Sequence, residues 1–403
     1  MNKKILVIDD SALMRRVISD IINESNEYEV VAIAKDGLEG FDMIVSNPNL
    51  YSAVILDINM PKMNGLELLE KLQKNRIEQT VIVVSTVAKA GAKETIKALE
   101  FGAFDFVTKP ENYLETKGKD FKQKIQDTLD VATESKMSKI RTGRYQKTAT
   151  SEVAATKESV STVGRHSSTR TNTDSRNATQ QNPLFSTRRP VENSKPAEKV
   201  NASSYTGIKR GKNKLIALAC STGGPKSLQQ VIPVLPKNLD AGMVLVQHMP
   251  AGFTASLAQR LDEISEIRVK EAADGDVITK GTVYIAPGGK HIRIVKNGSN
   301  HCIKISEEPA VDGLRPCANI MYESLEESSY DEVICVVLTG MGADGTRGIK
   351  GLTSKKQIHV IAQDEDSCVV YGMPKAIAQT GLVDEVVPLN RIAETITNNV
   401  GVL

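Results

Sequence analysis

The sequence lacks any long run of apolar residues. No uninterrupted run exceeds about eight residues, whereas a membrane-spanning helix requires roughly 18–20. The first apolar run, at 5–8, ends at Asp9 and is too short for a secretory signal. We therefore expect a cytoplasmic protein with no segment inserted in a membrane.

The sequence also has few cysteines, and none of them form a CxxC motif. Their number is odd, which argues against a complete disulfide framework, and we predict reduced thiols. The cysteines are Cys220, Cys302, Cys317, Cys335 and Cys368.

Apolar residues are scarce over 141–212, where 21 of the 72 residues are Ser or Thr. This segment carries 14 Lys and Arg against 5 Asp and Glu, scattered singly among polar residues. Such a composition buries too little apolar surface to offset the entropy of ordering. We predict a disordered linker at 141–212 between domains at 1–140 and 213–403, and we expect no nucleic-acid binding.

Short β-branched runs alternate with amphipathic stretches on both sides of this linker. Buried runs separated by helical lengths are typical of a parallel sheet with helices on both faces. The sequence therefore predicts two doubly wound α/β domains, the first closed by a helix in the polar segment from about 113 to 140. The predicted strands are 4–8, 30–34, 53–56, 80–85 and 104–107, then 215–220, 243–247, 283–286, 333–338 and 358–362.

Acidic residues follow two strands of the first domain. Asp9 and Asp10 end the first strand and Asp57 ends the third, while Ser85 and Lys109 end the fourth and fifth. The carboxyl ends of parallel strands meet at one edge of the sheet. Three carboxylates there suit Mg²⁺, and the lysine and hydroxyl suit the oxygens of a phosphoryl group on Asp57.

Three of these positions also have an ordinary structural explanation. Asp9 and Asp10 could cap a helix that begins at Ser11, and Lys109 before Pro110 could be a simple turn. The coincidence of all five side chains at strand ends favours a site.

The motifs VIDDS, LDINMPKMNGLE and DFVTKP resemble the flavodoxin-like receiver domains of two-component response regulators over about 110 residues. The resemblance implies that Asp57 accepts a phosphoryl group from a histidine kinase. Thr86 is an alternative to Ser85 as the switch hydroxyl, because the two are adjacent. The other implied residues are Asp9, Asp10 and the backbone carbonyl of Asn59 as Mg²⁺ ligands with Asp57, Ser85 and Phe106 as switch residues, and Lys109 as the phosphate partner.

A second set of polar residues follows strands of the second domain. Ser221 comes after the strand LIALAC and before a Gly-Gly turn, His248 follows MVLVQ, and Asp344 lies just after VICVVL. A nucleophile, a base and a carboxylate that orients the base form a serine-hydrolase set.

Alternatives remain for each member of this set. Ser221 and Asp344 could each cap a helix, and His248 could be structural. The competing bases are His291, His301 and His359, and Cys220 beside Ser221 is a competing nucleophile that the strand is expected to bury.

The segment 340–345 is a literal GxGxxG motif after a strand, with Asp364 nineteen residues beyond its last glycine. This pattern matches a dinucleotide-binding fingerprint. Its place near the end of the domain leaves no room for a second nucleotide-binding half, so we disfavour it.

The motifs LACSTGGP, VQHMPAGFT, VYIAPGGKHIRI, LTGMGADG and SCVVYGMPKAI are similar to the catalytic domain of CheB-type chemotaxis methylesterases, over about 213–400. The resemblance implies Ser221 as nucleophile, His248 as general base and Asp344 as the orienting carboxylate. It also implies the Met341 N–H as an oxyanion donor and Thr222 in the active-site turn.

The same resemblance implies phosphorylation-regulated hydrolysis of glutamate γ-methyl esters on methyl-accepting chemoreceptors, with glutamine deamidation as a second activity. It implies no cofactor in the hydrolase domain, and a receiver that packs over the cleft until it is phosphorylated. The linker is longer than is usual in the family. The rival hypotheses are a DNA-binding response regulator, for which 213–403 shows no basic helix-turn-helix, and an esterase or amidase for small molecules.

Overall fold

A computed structural model of the chain describes residues 2–86, 89–110, 118, 120–134 and 213–403. The linker predicted at 141–212 lies outside these residues, as does the end of the predicted first domain at 135–140. The predicted domain boundaries therefore stay predictions.

The first domain is built on a five-stranded parallel sheet in the order β2-β1-β3-β4-β5. This is the flavodoxin-like order, and it confirms the predicted doubly wound fold. The central strands β1, β3 and β4 each contain a continuous apolar run, because helices cover both faces of the sheet. The strands are β1 (Lys3–Ile8), β2 (Tyr28–Ala34), β3 (Ala53–Asp57), β4 (Val81–Thr86) and β5 (Asp105–Lys109).

Five helices cover this sheet within the described residues. Helices α2, α3 and α4 pack on one face, and α1 and α5 pack on the other. Ser11 caps α1, since its hydroxyl accepts a hydrogen bond from the Met14 N–H at 3.3 Å. The cap is therefore neither Asp9 nor Asp10. The helices are α1 (Ala12–Asn23), α2 (Gly37–Ser46), α3 (Gly65–Lys74), α4 (Lys89–Glu100) and α5 (120–134).

The second domain is built on a seven-stranded parallel sheet in the order β14-β13-β12-β6-β7-β9-β8. A hairpin of β10 and β11 stands apart from it. The sequence predicted five of these strands and missed β8, β14 and the hairpin. The strands are β6 (Lys214–Cys220), β7 (Gly242–Gln247), β8 (Arg268–Glu271), β9 (Thr282–Ile285), β10 (His291–Asn297), β11 (Asn300–Ser306), β12 (Glu332–Val337), β13 (Gln357–Gln363) and β14 (Glu385–Val387).

The strand order of this sheet reverses direction at β6. The chain runs from β6 to β7 on one side and later returns to β12 on the other side, so a crevice opens above the carboxyl ends of these three strands. Ligand sites in open α/β sheets form at such a point. The helices around the sheet are α6 (Gly224–Val231), α7 (Phe253–Ile264), α8 (Ala318–Glu323), α9 (Thr346–Leu352), α10 (Met373–Ala378) and α11 (Ile392–Val400).

The five cysteines are all buried and carry free thiols, as the sequence predicted. Of the helices in the described part of the chain, none has both the length and the apolar character needed to cross a membrane.

The two domains share one continuous apolar cluster. Helix α4 of the first domain packs against α7 and α6 of the second. An ion pair of 2.8 Å joins Glu100 at the end of α4 to Arg260 on α7. The face of the first domain that carries α4 and β5 is thus its docking face.

Candidate active site

Two neighbouring strands bring Ser221 and His248 together. Strands β6 and β7 pair in register up to Cys220 and Gln247, which are the residues just before Ser221 and His248. One more main-chain hydrogen bond follows, from the His248 N–H to the Cys220 carbonyl at 3.2 Å. Both side chains therefore start from the carboxyl edge of the sheet, as predicted.

Ser221 lies in a tight turn between β6 and α6. The cap of α6 is Gly223, at φ +78°, and no side chain bonds to that helix end, so the helix-cap alternative for Ser221 is wrong. The Ser221 N–H donates to the Thr339 carbonyl at 3.0 Å. A Cβ atom on Gly340 would lie 2.8 Å from the Ser221 Cβ, so Gly340 leaves the space that the turn occupies.

His248 and Asp344 form a close pair, with 2.8 Å between Nε2 and Oδ2. Among the described residues, no hydrogen bond reaches the His248 Nδ1 atom or joins the ring to the Ser221 hydroxyl. Because the carboxylate occupies Nε2, Nδ1 is the nitrogen left to take a proton from a nucleophile.

Asp344 is held by the first amides of α8. Its carboxylate accepts hydrogen bonds from the N–H groups of Ala318 at 2.6 Å and Asn319 at 2.9 Å, and from the Cys317 thiol at 3.2 Å. Burial alone would raise the pKa of Asp344, but His248 and these amides outweigh it and lower the pKa to about 2. The residue therefore stays ionised and can orient the His248 ring.

Met341 lies three residues before Asp344, and Thr222 directly follows Ser221. The Met341 side chain is half exposed, and its N–H makes no hydrogen bond within the described part of the chain. The Thr222 carbonyl accepts a hydrogen bond from the Thr339 hydroxyl at 3.0 Å. A free N–H at this edge is what an oxyanion donor requires, although the role of Met341 stays a prediction.

The competing residues have other partners. His301 accepts a hydrogen bond from the Ser329 N–H at 2.9 Å, and His359 pairs with Glu385 at 2.8 Å. His291 bonds the Pro309 carbonyl at 3.1 Å. Burial raises the pKa of the Cys220 thiol, which makes it a poor nucleophile. Within the described ranges, none of these three histidines bonds to Ser221 or Asp344.

Sequence reasoning missed two side chains that support the site. Gln247 bonds the backbone of both Ser221 and His248, and Cys317 donates to Asp344. A glutamine at a strand end and a lone buried cysteine have no pattern that marks them, because their partners are distant in the sequence.

The first domain gathers its acidic residues at the carboxyl edge of its sheet. One carboxylate oxygen from each of Asp9, Asp10 and Asp57 lies within 4.8 Å of the others. The Lys109 ammonium lies between two of them, at 2.8 Å from Asp9 and 2.9 Å from Asp57. Burial raises the pKa of Asp57, and Lys109 opposes that rise. Clustered carboxylate oxygens of this kind fit Mg²⁺.

Ser85 and Asn59 each contact helix α4. The buried Ser85 hydroxyl lies 2.7 Å from the hydroxyl of Thr95, whereas the neighbouring Thr86 is exposed. The Asn59 side chain donates to Glu94 at 3.1 Å. Two residues close to the acidic cluster therefore form hydrogen bonds with α4, the helix that packs on the second domain.

Phe106, on the strand that ends at Lys109, contacts the other domain. Its ring stacks on the ring of Phe253 at the start of α7. Burial raises the pKa of the neighbouring Asp105, and the hydrogen bonds from the Phe106 N–H and the Thr222 side chain only partly oppose that rise.

A cavity of about 160 Å³ lies between the domains, lined by residues of the first domain and by Gly223 and Lys226 of the second. The docking face thus lies beside the Ser221 turn.

Comparison with known families assigns both halves of the chain. Residues 5–117 match the response regulator receiver domain, and residues 216–396 match the CheB methylesterase family. The second half therefore matches an enzyme family and not the DNA-binding output domain of the rival hypothesis.

Relatives of similar length match almost the whole chain. The protein-glutamate methylesterase/protein-glutamine glutaminase of Desulfotalea psychrophila is 37% identical over 403 residues, covering 99% of each chain. That of Bacillus subtilis is 36% identical over 396 residues, covering 98% of each. The crystal structure of the Thermotoga maritima CheB methylesterase catalytic domain is 41% identical, covers 47% of this chain and 100% of its own, and has a TM-score of 0.46. The chain belongs to the CheB methylesterase family, with a response regulator receiver domain in its N-terminal half.

Proposed function

We propose that this chain hydrolyses glutamate γ-methyl esters on chemoreceptors in the cytoplasm, with methanol as product, under the control of receiver phosphorylation. The observation that carries the proposal is the His248–Asp344 pair, 2.8 Å apart, beside the turn that presents Ser221. The names of the full-length relatives support the substrate class and add deamidation of glutamine as a second activity.

The first half of the reaction transfers the glutamyl group to Ser221. The Ser221 Oγ attacks the ester carbonyl carbon while His248 Nδ1 takes the hydroxyl proton. The carbonyl oxygen gains negative charge, and the Met341 N–H stabilises it. The bond between the carbonyl carbon and the methoxy oxygen then breaks, and His248 returns its proton to that oxygen. Methanol leaves, and an acyl-enzyme remains.

The second half releases the receptor. A water molecule loses a proton to His248 and attacks the acyl carbon, and the bond to Ser221 Oγ breaks as His248 protonates that oxygen. The product is a glutamate side chain. With a glutamine substrate the same steps release ammonia in place of methanol.

Asp57 is the phosphoacceptor of the receiver, and a chemotaxis histidine kinase is its donor. Asp9, Asp10, Asp57 and the Asn59 carbonyl would hold Mg²⁺, which supplies neutralisation of the phosphoryl charge. Lys109 lies between Asp9 and Asp57, so it is placed to pair with a phosphoryl oxygen once one is attached to Asp57.

The docked receiver restricts access to Ser221. Its α4 face packs on α6, which begins three residues after the nucleophile, and on α7. Ser85 and Phe106 are the switch residues that respond to the phosphoryl group, and both are connected to this face through Thr95 and Phe253. Phosphorylation therefore weakens docking and opens the cleft to a receptor helix.

The test is methanol release from methylated receptor membranes by the wild-type chain and by Ser221→Ala. We expect release by the wild type and its loss in the variant. Hydrolysis of a small ester such as p-nitrophenyl acetate without methanol release from receptors would favour a small-molecule esterase instead.

A further inference from the structure

Gln247 is the last residue of β7 and is buried, with 1% of its surface exposed. Its Nε2 donates to the backbone carbonyl of Ser221 at 3.0 Å and to that of His248 at 3.1 Å. Its Oε1 accepts a hydrogen bond from the Cys220 thiol at 3.1 Å. A primary amide has two N–H donors, so both are used, one on each of the two residues that carry out proton transfer.

The Gln247 amide connects the turns that follow β6 and β7, at the point where main-chain pairing between these strands ends. The paired region of β6 and β7 ends at Cys220 and Gln247, and one further main-chain bond follows at His248. Past that bond, the backbone segments after β6 and β7 enter separate turns. The Gln247 side chain therefore links the backbones of Ser221 and His248 beyond the end of the paired strands.

The space around the amide is shaped to hold it. A Cβ atom on Gly224 would lie 2.1 Å from Gln247 Oε1, so a larger residue at the start of α6 would displace the amide. The Cys220 thiol donates to the same oxygen and holds the amide in this orientation.

We propose that Gln247 is a positioning residue for the hydrolysis, which sets the distance between Ser221 Oγ and His248 Nδ1 without touching the substrate. This inference rests on the proposed function of the same site. A displacement of about 1 Å between reacting groups can cost about a hundredfold in rate. Loss of the two hydrogen bonds should therefore lower kcat and leave KM nearly unchanged.

Two substitutions in the full-length chain test the role of the amide. Gln247→Met keeps an unbranched side chain of similar volume but has no donor for the two carbonyls. Gln247→Glu keeps the shape and offers oxygens where the donors stood. We expect kcat for methanol release to fall by about 30- to 100-fold in both, with KM within about twofold of the wild type. The labelling rate of Ser221 by a fluorophosphonate should fall in parallel, because that reaction needs the same proton transfer but no receptor.

Ile396→Ala is the matched control for lost stability. Ile396 is fully buried on α11, and the same helix accepts a hydrogen bond from Lys214, the first residue of β6, through the carbonyl of Asn399. It therefore lies near the end of the strand opposite Ser221. This variant should lower the melting temperature and leave kcat unchanged.

A Gln247→Met chain that melts at a lower temperature but keeps wild-type kcat and labelling rate would overturn the proposal, as would a rise in KM alone. Should the Met variant fail to fold, Gln247→Glu decides by the same two readouts. Failure of the proposed function is recognised separately, because the wild-type chain would then release no methanol while fluorophosphonate labelling still reports the effect of Gln247.

Discussion

The ring of Phe106 in the receiver stacks on the ring of Phe253 in the hydrolase domain, with 4.6 Å between centroids and 30° between planes. Such aromatic pairs contribute about 0.5–1.5 kcal/mol beyond the area that they bury. Phe106 is also the residue that family resemblance assigns as the aromatic switch. A change in its side-chain rotamer therefore alters the domain interface directly, without an intervening residue.

The ion pair between Glu100 and Arg260 lies at the same interface, and its side chains are 34% and 31% exposed. Pairs exposed to this degree are worth about 0–1 kcal/mol. We expect Arg260→Glu to place like charges across the interface and raise basal methanol release by about two- to fivefold. Initial rates of the unphosphorylated full chain measure this effect.

The reversed pair Glu100→Arg with Arg260→Glu is the control. It should restore the attraction and return the basal rate to the wild-type value. Equal basal rates in all these chains would mean that the α4 face does not restrict the active site.

Removal of the phosphoacceptor should separate regulation from chemistry. We expect Asp57→Asn to abolish activation by acetyl phosphate with Mg²⁺, while basal hydrolysis stays within about twofold of the wild type. Receptor-methanol assays with and without the phosphodonor measure both quantities. An Asp57→Asn chain that is activated as strongly as the wild type would place the acceptor elsewhere.

The three proposed catalytic residues should behave as a unit. We expect Ser221→Ala and His248→Ala each to lower kcat by about a thousandfold or more, and the double variant to be no slower than the slower single one. Asp344→Ala should also lose most activity.

His359→Ala is the control for the loss of a histidine, because His359 pairs with Glu385 and not with the candidate site. Its kcat should match the wild type. A His248 variant with full activity would exclude this residue as the base.

Asp344 should stabilise the fold in a pH-dependent way. Its pKa is lowered from 3.8 to about 2, so the ionised carboxylate contributes about 2 kcal/mol above pH 4, and this contribution is lost as the pH falls through about 2. We expect Asp344→Asn to lower the free energy of unfolding by about 2 kcal/mol at pH 7 and by about half as much at pH 3. Urea unfolding of both chains at pH 7, 5 and 3 gives the difference. A difference that is independent of pH would refute the contribution of the charge.

The fold and the candidate residues could largely be predicted because they depend on short-range patterns. Strand-end positions placed Ser221 and His248 at one sheet edge, and the pairing of β6 with β7 brings them together as expected. The β10–β11 hairpin was missed because its strands alternate apolar and polar residues, whereas the parallel strands were recognised by their continuous apolar runs. The amides of α8 at Asp344, and the contact of Phe106 with Phe253, join residues far apart in the sequence, and no local pattern encodes them.

The burial of all five thiols makes the chain suitable for selective labelling. A maleimide dye reacts slowly with a buried cysteine, because access and thiolate formation are both limited. Single cysteines introduced at exposed positions of each domain could therefore carry a donor and an acceptor fluorophore while the native cysteines stay in place. Energy transfer between the two dyes would then follow the separation of the domains in real time as a phosphodonor is added.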